Sequence, residues 1–108
     1  MNEEMIERYE MGERPCLTPA QIERLAILSE ELGETQQAIG KILRHGFFSA
    51  NPLIENGPQN YESLERELGD IELAIEMLVE AGDLNASRIH ARKYIKREKI
   101  KPYLHHQK

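Results

Sequence analysis

The chain has 108 residues, 40% of them hydrophobic and 31% charged, which is room for one domain and an ordinary globular balance, outside the disordered range. Fourteen Lys and Arg against nineteen Asp and Glu give a net charge of −5, which weighs against a nucleic-acid polymer as partner. No apolar run approaches the roughly 20 residues that cross a bilayer, and Cys16 is the single cysteine, so no intrachain disulfide forms and a cytoplasmic location is expected.

The N-terminal segment, residues 1–17, begins MNEEMIERYE, which lacks the basic start and apolar run of a signal peptide and shows only a weak pattern for a short helix over about 3–11. Thr18-Pro19-Ala20-Gln21 then opens the first long helix: a threonine N-cap, proline at the first helical position, and glutamine three after the cap. Leu25, Leu28, Leu32, Ile39, Ile42 and Leu43 form an apolar stripe with three-and-four spacing along it. Gly46, after His45, is the natural stop.

Residues 46–60, GFFSANPLIENGPQN, carry Asn-Pro and Gly-Pro pairs and read as a loop, long for a small helical domain. Asn60 is expected to cap a second helix running to about Ala81, striped by Leu64, Leu68, Ile71, Ile75 and Leu78 and closed by Gly82. Asn85 caps a third, from Ala86 to about Lys99, and Pro102 ends it before a tail over 102–108. The expected fold is all-α, a bundle of three principal helices in a single domain over 1–108. Three wide stripes make a thin core, so a homodimer or dimer of dimers is expected to complete a four-helix core, the alternative being a fourth helix from the N-terminal segment of the same chain.

The carboxylates interrupt this pattern. In SEELGETQQAIG, residues 29–40, Glu31 and Glu34 are three apart on one helical face, with Ile27 four before the pair and Ala38 four after it. RELGDIELA, residues 66–74, repeats the arrangement: Glu67 and Asp70 are three apart, flanked by Leu64 and Ala74. One acidic pair beside a core edge is ordinary surface. Two such pairs, on helices that pack, bring four carboxylates together, and converging carboxylates either hold protons or recruit a cation. Nitrogen and sulfur ligands are absent from both pairs, which selects a hard ion, Mg²⁺ first and Mn²⁺ second. A di-iron site built on Glu-x-x-His fits poorly, since Gln37 and Leu73 stand three after Glu34 and Asp70.

SEELGE followed by RELGD resembles the MazG-like, all-α nucleoside triphosphate pyrophosphohydrolases, whose signature is Glu-Glu-x-x-Glu on one helix and Glu-x-x-Asp on the next. Here those positions are Glu30, Glu31, Glu34, Glu67 and Asp70. The resemblance extends over about residues 18–104 and includes AIGKILRHG and a third helix rich in Lys and Arg. The sequence departs in the 32 residues separating Glu34 from Glu67, longer than the family's usual gap. The resemblance implies Mg²⁺-dependent hydrolysis of an NTP or dNTP to the monophosphate and pyrophosphate. It implies metal ligation by Glu31, Glu34, Glu67 and Asp70, with Glu34 or, second, Glu30 as general base. Lys93 and Lys96 resemble family lysines that reach the phosphates, and Arg44 and His45 at the mouth of the loop are further candidates. Phe47 and Phe48 either stack on a base or pin the loop, and His105-His106 are assigned no metal. Related readings are a phosphoribosyl-ATP or dUTP hydrolase, and, from another class, a non-catalytic helical interaction module.

Overall fold

In the computed structural model, which describes residues 3–12 and 16–107, the sequence forms four α-helices and no strand among the described residues. They are α1 (Glu3–Glu10), α2 (Pro19–His45), α3 (Asn60–Glu80) and α4 (Ala86–Ile100), with a 3-10 turn over Lys101–Tyr103. Residues 1–2 and 13–15 of the N-terminal segment and Lys108 of the tail lie outside the described residues. No helix is long and apolar enough among these to cross a membrane.

The start of α2 is the expected capping box. The Gln21 amide donates to Thr18 Oγ1 at 3.1 Å, and the Thr18 amide donates to Gln21 Oε1 at 2.9 Å. At the other end Gly46 takes φ +89°, the region glycine enters without Cβ strain, and its amide donates to Ile42 O at 2.7 Å. The expected cap of α3 needs correction. Asn60 is already helical, and Gln59 is the capping position, its amide held at 3.1 Å by Glu62 Oε1. Asn60 instead ties the loop: its amide donates to Ser49 O at 2.7 Å and its side chain donates to Gly46 O at 3.0 Å. Asn85 caps α4 as expected, accepting from the Arg88 amide at 3.0 Å.

The helices α2 and α3 run back along each other as a hairpin whose buried centre is small-residue packing. Ala38, Ala74 and Leu78 are buried there, Leu78 only 1% exposed, and Thr35 turns its hydroxyl back onto Glu31 O at 2.7 Å. The stripes are covered unequally. On α3, Leu64, Ile71 and Ile75 are half-buried, whereas on α2 Leu32, Ile39 and Leu43 stay exposed. The expected three-helix bundle does not close within one chain: α4 leaves the hairpin, and every residue from Ala86 to Lys99 is exposed. Its sequence explains this, since charged residues surround the few apolar ones, Ile89, Tyr94 and Ile95. The Cα radius of gyration, 18.4 Å, is well above the ~13 Å of a compact chain of this length.

The far end of the hairpin is closed by charge. Arg24 Nε donates to Asp83 Oδ2 at 2.6 Å and Arg24 NH2 to Oδ1 at 3.3 Å, both side chains being largely buried. Gln21 also donates to Met5 Sδ at 3.2 Å, which brings α1 to the same corner. The Arg24 guanidinium holds the Asp83 carboxyl below its usual range. Asp83→Ala is therefore expected to cost about 1–3 kcal/mol by urea denaturation at neutral pH. That contribution is present above pH 3.8 and disappears as acid protonates the folded carboxylate.

Candidate metal centre

Two consecutive turns of α2 carry Glu31 and Glu34, and two of α3 carry Glu67 and Asp70. The helices α2 and α3 pack along each other with Ala38 and Ala74 buried, and the two acidic pairs face one another. Each of the four residues offers a carboxylate oxygen, and these oxygens all lie within 4.8 Å of one another. Glu31, Glu34 and Glu67 are half-buried and Asp70 is exposed, so the group opens to solvent on the Asp70 side. Glu31 Oε2 and Glu67 Oε2 are fully buried and accept no hydrogen bond. A buried carboxylate oxygen with no donor is unusual and costly, which sets these two apart from solvated surface acids.

Electrostatics follow from that geometry. Burial, then the negative charges of Glu34 and Asp70, push the Glu31 carboxyl up from 4.5 to about 7. Burial raises Glu67 as well, with Glu34 next in effect. Near neutrality the group thus has two ways to relieve its repulsion: hold a proton, or hold a cation. The donor set is oxygen only and negatively charged, which fits Mg²⁺ or Mn²⁺ and suits softer ions poorly.

The other residues singled out in the sequence fall elsewhere. Glu30 is exposed and outside the group of four. Arg44 and His45 line a cavity of about 540 Å³ between the end of α2 and the 46–60 loop. Lys93 lines an open groove with Ile75 and Val79, its ammonium 5.3 Å from the centre of the Tyr94 ring, and Lys96 is exposed on α4. Neither lysine is ion-paired to the four carboxylates among the described residues. Phe47 and Phe48 are exposed, yet Phe48 meets Tyr61 edge-on at 5.7 Å, a contact that pins the loop to α3. His105 and His106 are exposed in the tail.

Sequence reasoning passed over Lys41, which shares the cavity with Arg44. The signal was available: Lys41 is seven residues after Glu34, so both occupy the same face of α2. Comparison of this chain with protein-family models, with curated proteins and with solved structures finds no match.

Proposed function

We propose that the chain is a cytoplasmic, Mg²⁺-dependent nucleotide pyrophosphohydrolase of the MazG-like kind, converting an NTP or dNTP and water to the monophosphate and pyrophosphate. The observation that carries this reading is the group of four carboxylates with two orphaned buried oxygens. Glu31, Glu34, Glu67 and Asp70 would hold the metal, which when bound neutralises the triphosphate and makes the attacking water more acidic. Glu31 and Glu67 anchor from the buried side, and Asp70 works from the open side, where a nucleotide enters. Glu34 takes the proton of the attacking water, and Glu30, one residue before the half-buried Glu31, steadies that edge of the site. The direct test is a panel of NTPs and dNTPs with Mg²⁺, scored by pyrophosphate release. Turnover of at least one supports the reading, and inert nucleotides with a protein that still responds to metal favour the interaction module.

A homodimer or dimer of dimers belongs to the same proposal. The exposed Leu32, Ile39 and Leu43 and the outlying α4 leave apolar surface that a second copy would cover. The basic α4 also suits the acidic hairpin of another copy, where Lys93 and Lys96 would approach substrate phosphates. Sedimentation equilibrium at micromolar concentration should therefore give a multiple of 12.5 kDa, and Ile39→Glu should shift the mass toward the single chain. A 12.5 kDa species at every concentration would overturn the assembly.

A further inference from the structure

We infer that the cavity between the end of α2 and the 46–60 loop binds a nucleoside monophosphate unit, the nucleoside end of the nucleotide whose remaining phosphates lie at the carboxylates. Its ligand class rests on the hydrolase reading; its chemistry rests on the lining. One wall is cationic, formed by Lys41 and Arg44 with His45. The opposite wall is apolar, formed by Ala50, Pro52, Ile54 and Pro58 from the loop. Asn51, Asn60 and Ser63 supply amide and hydroxyl groups between them, and no carboxylate lines the cavity among the described residues. Cations for a phosphate, an apolar wall for a flat ring, and a few directional hydrogen-bonding groups are the three parts a mononucleotide site needs. At about 540 Å³ the cavity is of small-molecule size.

Placement supports the same ligand. Lys41 is seven residues after Glu34 on α2, and Ser63 is seven before Asp70 on α3. Seven residues are nearly two turns, so both return to the face of the carboxylates, ~10 Å further along the hairpin. A phosphate chain can span that interval with its nucleoside in the cavity. Asn60 and Ser63 also lie in the first turn of α3, whose positive dipole end favours an anion there. The loop is held in shape by its own backbone. Its two limbs are joined at Ala50 and Gln59 by an antiparallel bridge, by the Asn60 amide to Ser49 O at 2.7 Å, and by the Tyr61 amide to Phe47 O at 3.0 Å. Such pre-organisation lowers the ordering cost of binding.

The test uses the full chain in EDTA, so the carboxylates take no part. AMP, GMP, CMP, UMP and their deoxy forms are titrated while backbone amide NMR shifts are followed, with inorganic phosphate and free nucleosides as controls. At least one monophosphate should saturably shift amides within residues 41–63, about tenfold or more tighter than phosphate or nucleoside alone. The double variant Lys41→Gln, Arg44→Gln should weaken that binding about tenfold or more. Ala50→Phe, which fills the cavity from the loop, should block it while leaving the dispersion of the spectrum intact. The inference is overturned if no monophosphate binds, if phosphate alone binds equally well, or if the shifts map to the groove between α3 and α4. Its failure is separable from that of the hydrolase reading. Monophosphate binding here without NTP turnover leaves the cavity standing alone, and turnover with shifts mapped elsewhere removes only the cavity.

Discussion

Saturating Mg²⁺ is expected to raise the melting temperature of the protein by roughly 5–10 °C, the gain produced by a ligand at 10 to 100 times its dissociation constant in a domain of this size. The source is the group Glu31, Glu34, Glu67 and Asp70, whose oxygens converge within 4.8 Å and whose buried members lack donors. Calcium, larger and more tolerant in geometry, should give a different gain from Mg²⁺, while Mn²⁺ should follow Mg²⁺ closely. Without metal the pH dependence has a definite sign. A carboxyl raised from 4.5 to about 7 keeps its proton in the folded protein after the unfolded chain has lost it. The stability linked to Glu31 is thus fully present below pH 4.5 and is lost as pH rises to about 7. Metal-free wild type should lose melting temperature relative to Glu31→Gln across that window, and Mg²⁺ should flatten the loss because the ion replaces the proton. The Asp83 contribution has the opposite slope and is lost only below pH 3.8, so the two windows do not overlap. An unchanged melting temperature at millimolar Mg²⁺ and Mn²⁺ would end the metal-centre reading.

How much of this could be read before the fold was seen depends on the range of the interaction that decides each feature. Helix ends are decided within a few residues, so Thr18, Pro19 and Gln21 disclose the start of α2, and Gly46 and Gly82 disclose two stops. The cap of α3 is misread because Asn60 has a competing use, the carbonyl of Gly46, which lies fourteen residues earlier and carries no local mark. The acidic pairs are legible from spacing alone, since i and i+3 share a face on any helix. What spacing could not supply is which oxygens are buried without donors, because that depends on how closely α2 and α3 pack along each other. The path of α4 was illegible for a related reason. A helix with Ile89, Tyr94 and Ile95 set among many cations has too small an apolar face to choose its own partner, so the three-helix bundle inferred from stripe counting does not close in one chain.

Glu31→Gln, Glu67→Gln and Asp70→Asn are each expected to lower pyrophosphate release at least about 100-fold while leaving the helical content unchanged, and this set gives the sharpest separation between a site and a structural cluster. Each change keeps the side chain's size and removes one negative charge, so the proposed metal would lose a ligand while the hairpin loses repulsion. A structural cluster would behave otherwise: the metal-free variants would melt at altered temperatures with no activity to lose. The expected pattern is opposed signs, a metal-free protein that is at least as stable and a loaded protein that no longer turns over. Glu34→Gln removes both a proposed metal ligand and the proposed acceptor of the water proton, and should be the most damaging of the four. Glu30→Gln separates the two candidate bases. Exposed and outside the group of four, Glu30 should contribute less than about tenfold, and its variant should keep the melting gain in Mg²⁺. If Glu30→Gln instead abolishes turnover while retaining that gain, the proton goes to Glu30, and Glu34 is a metal ligand only. Full activity in the Glu31, Glu67 and Asp70 variants alike would remove the carboxylates from the chemistry altogether.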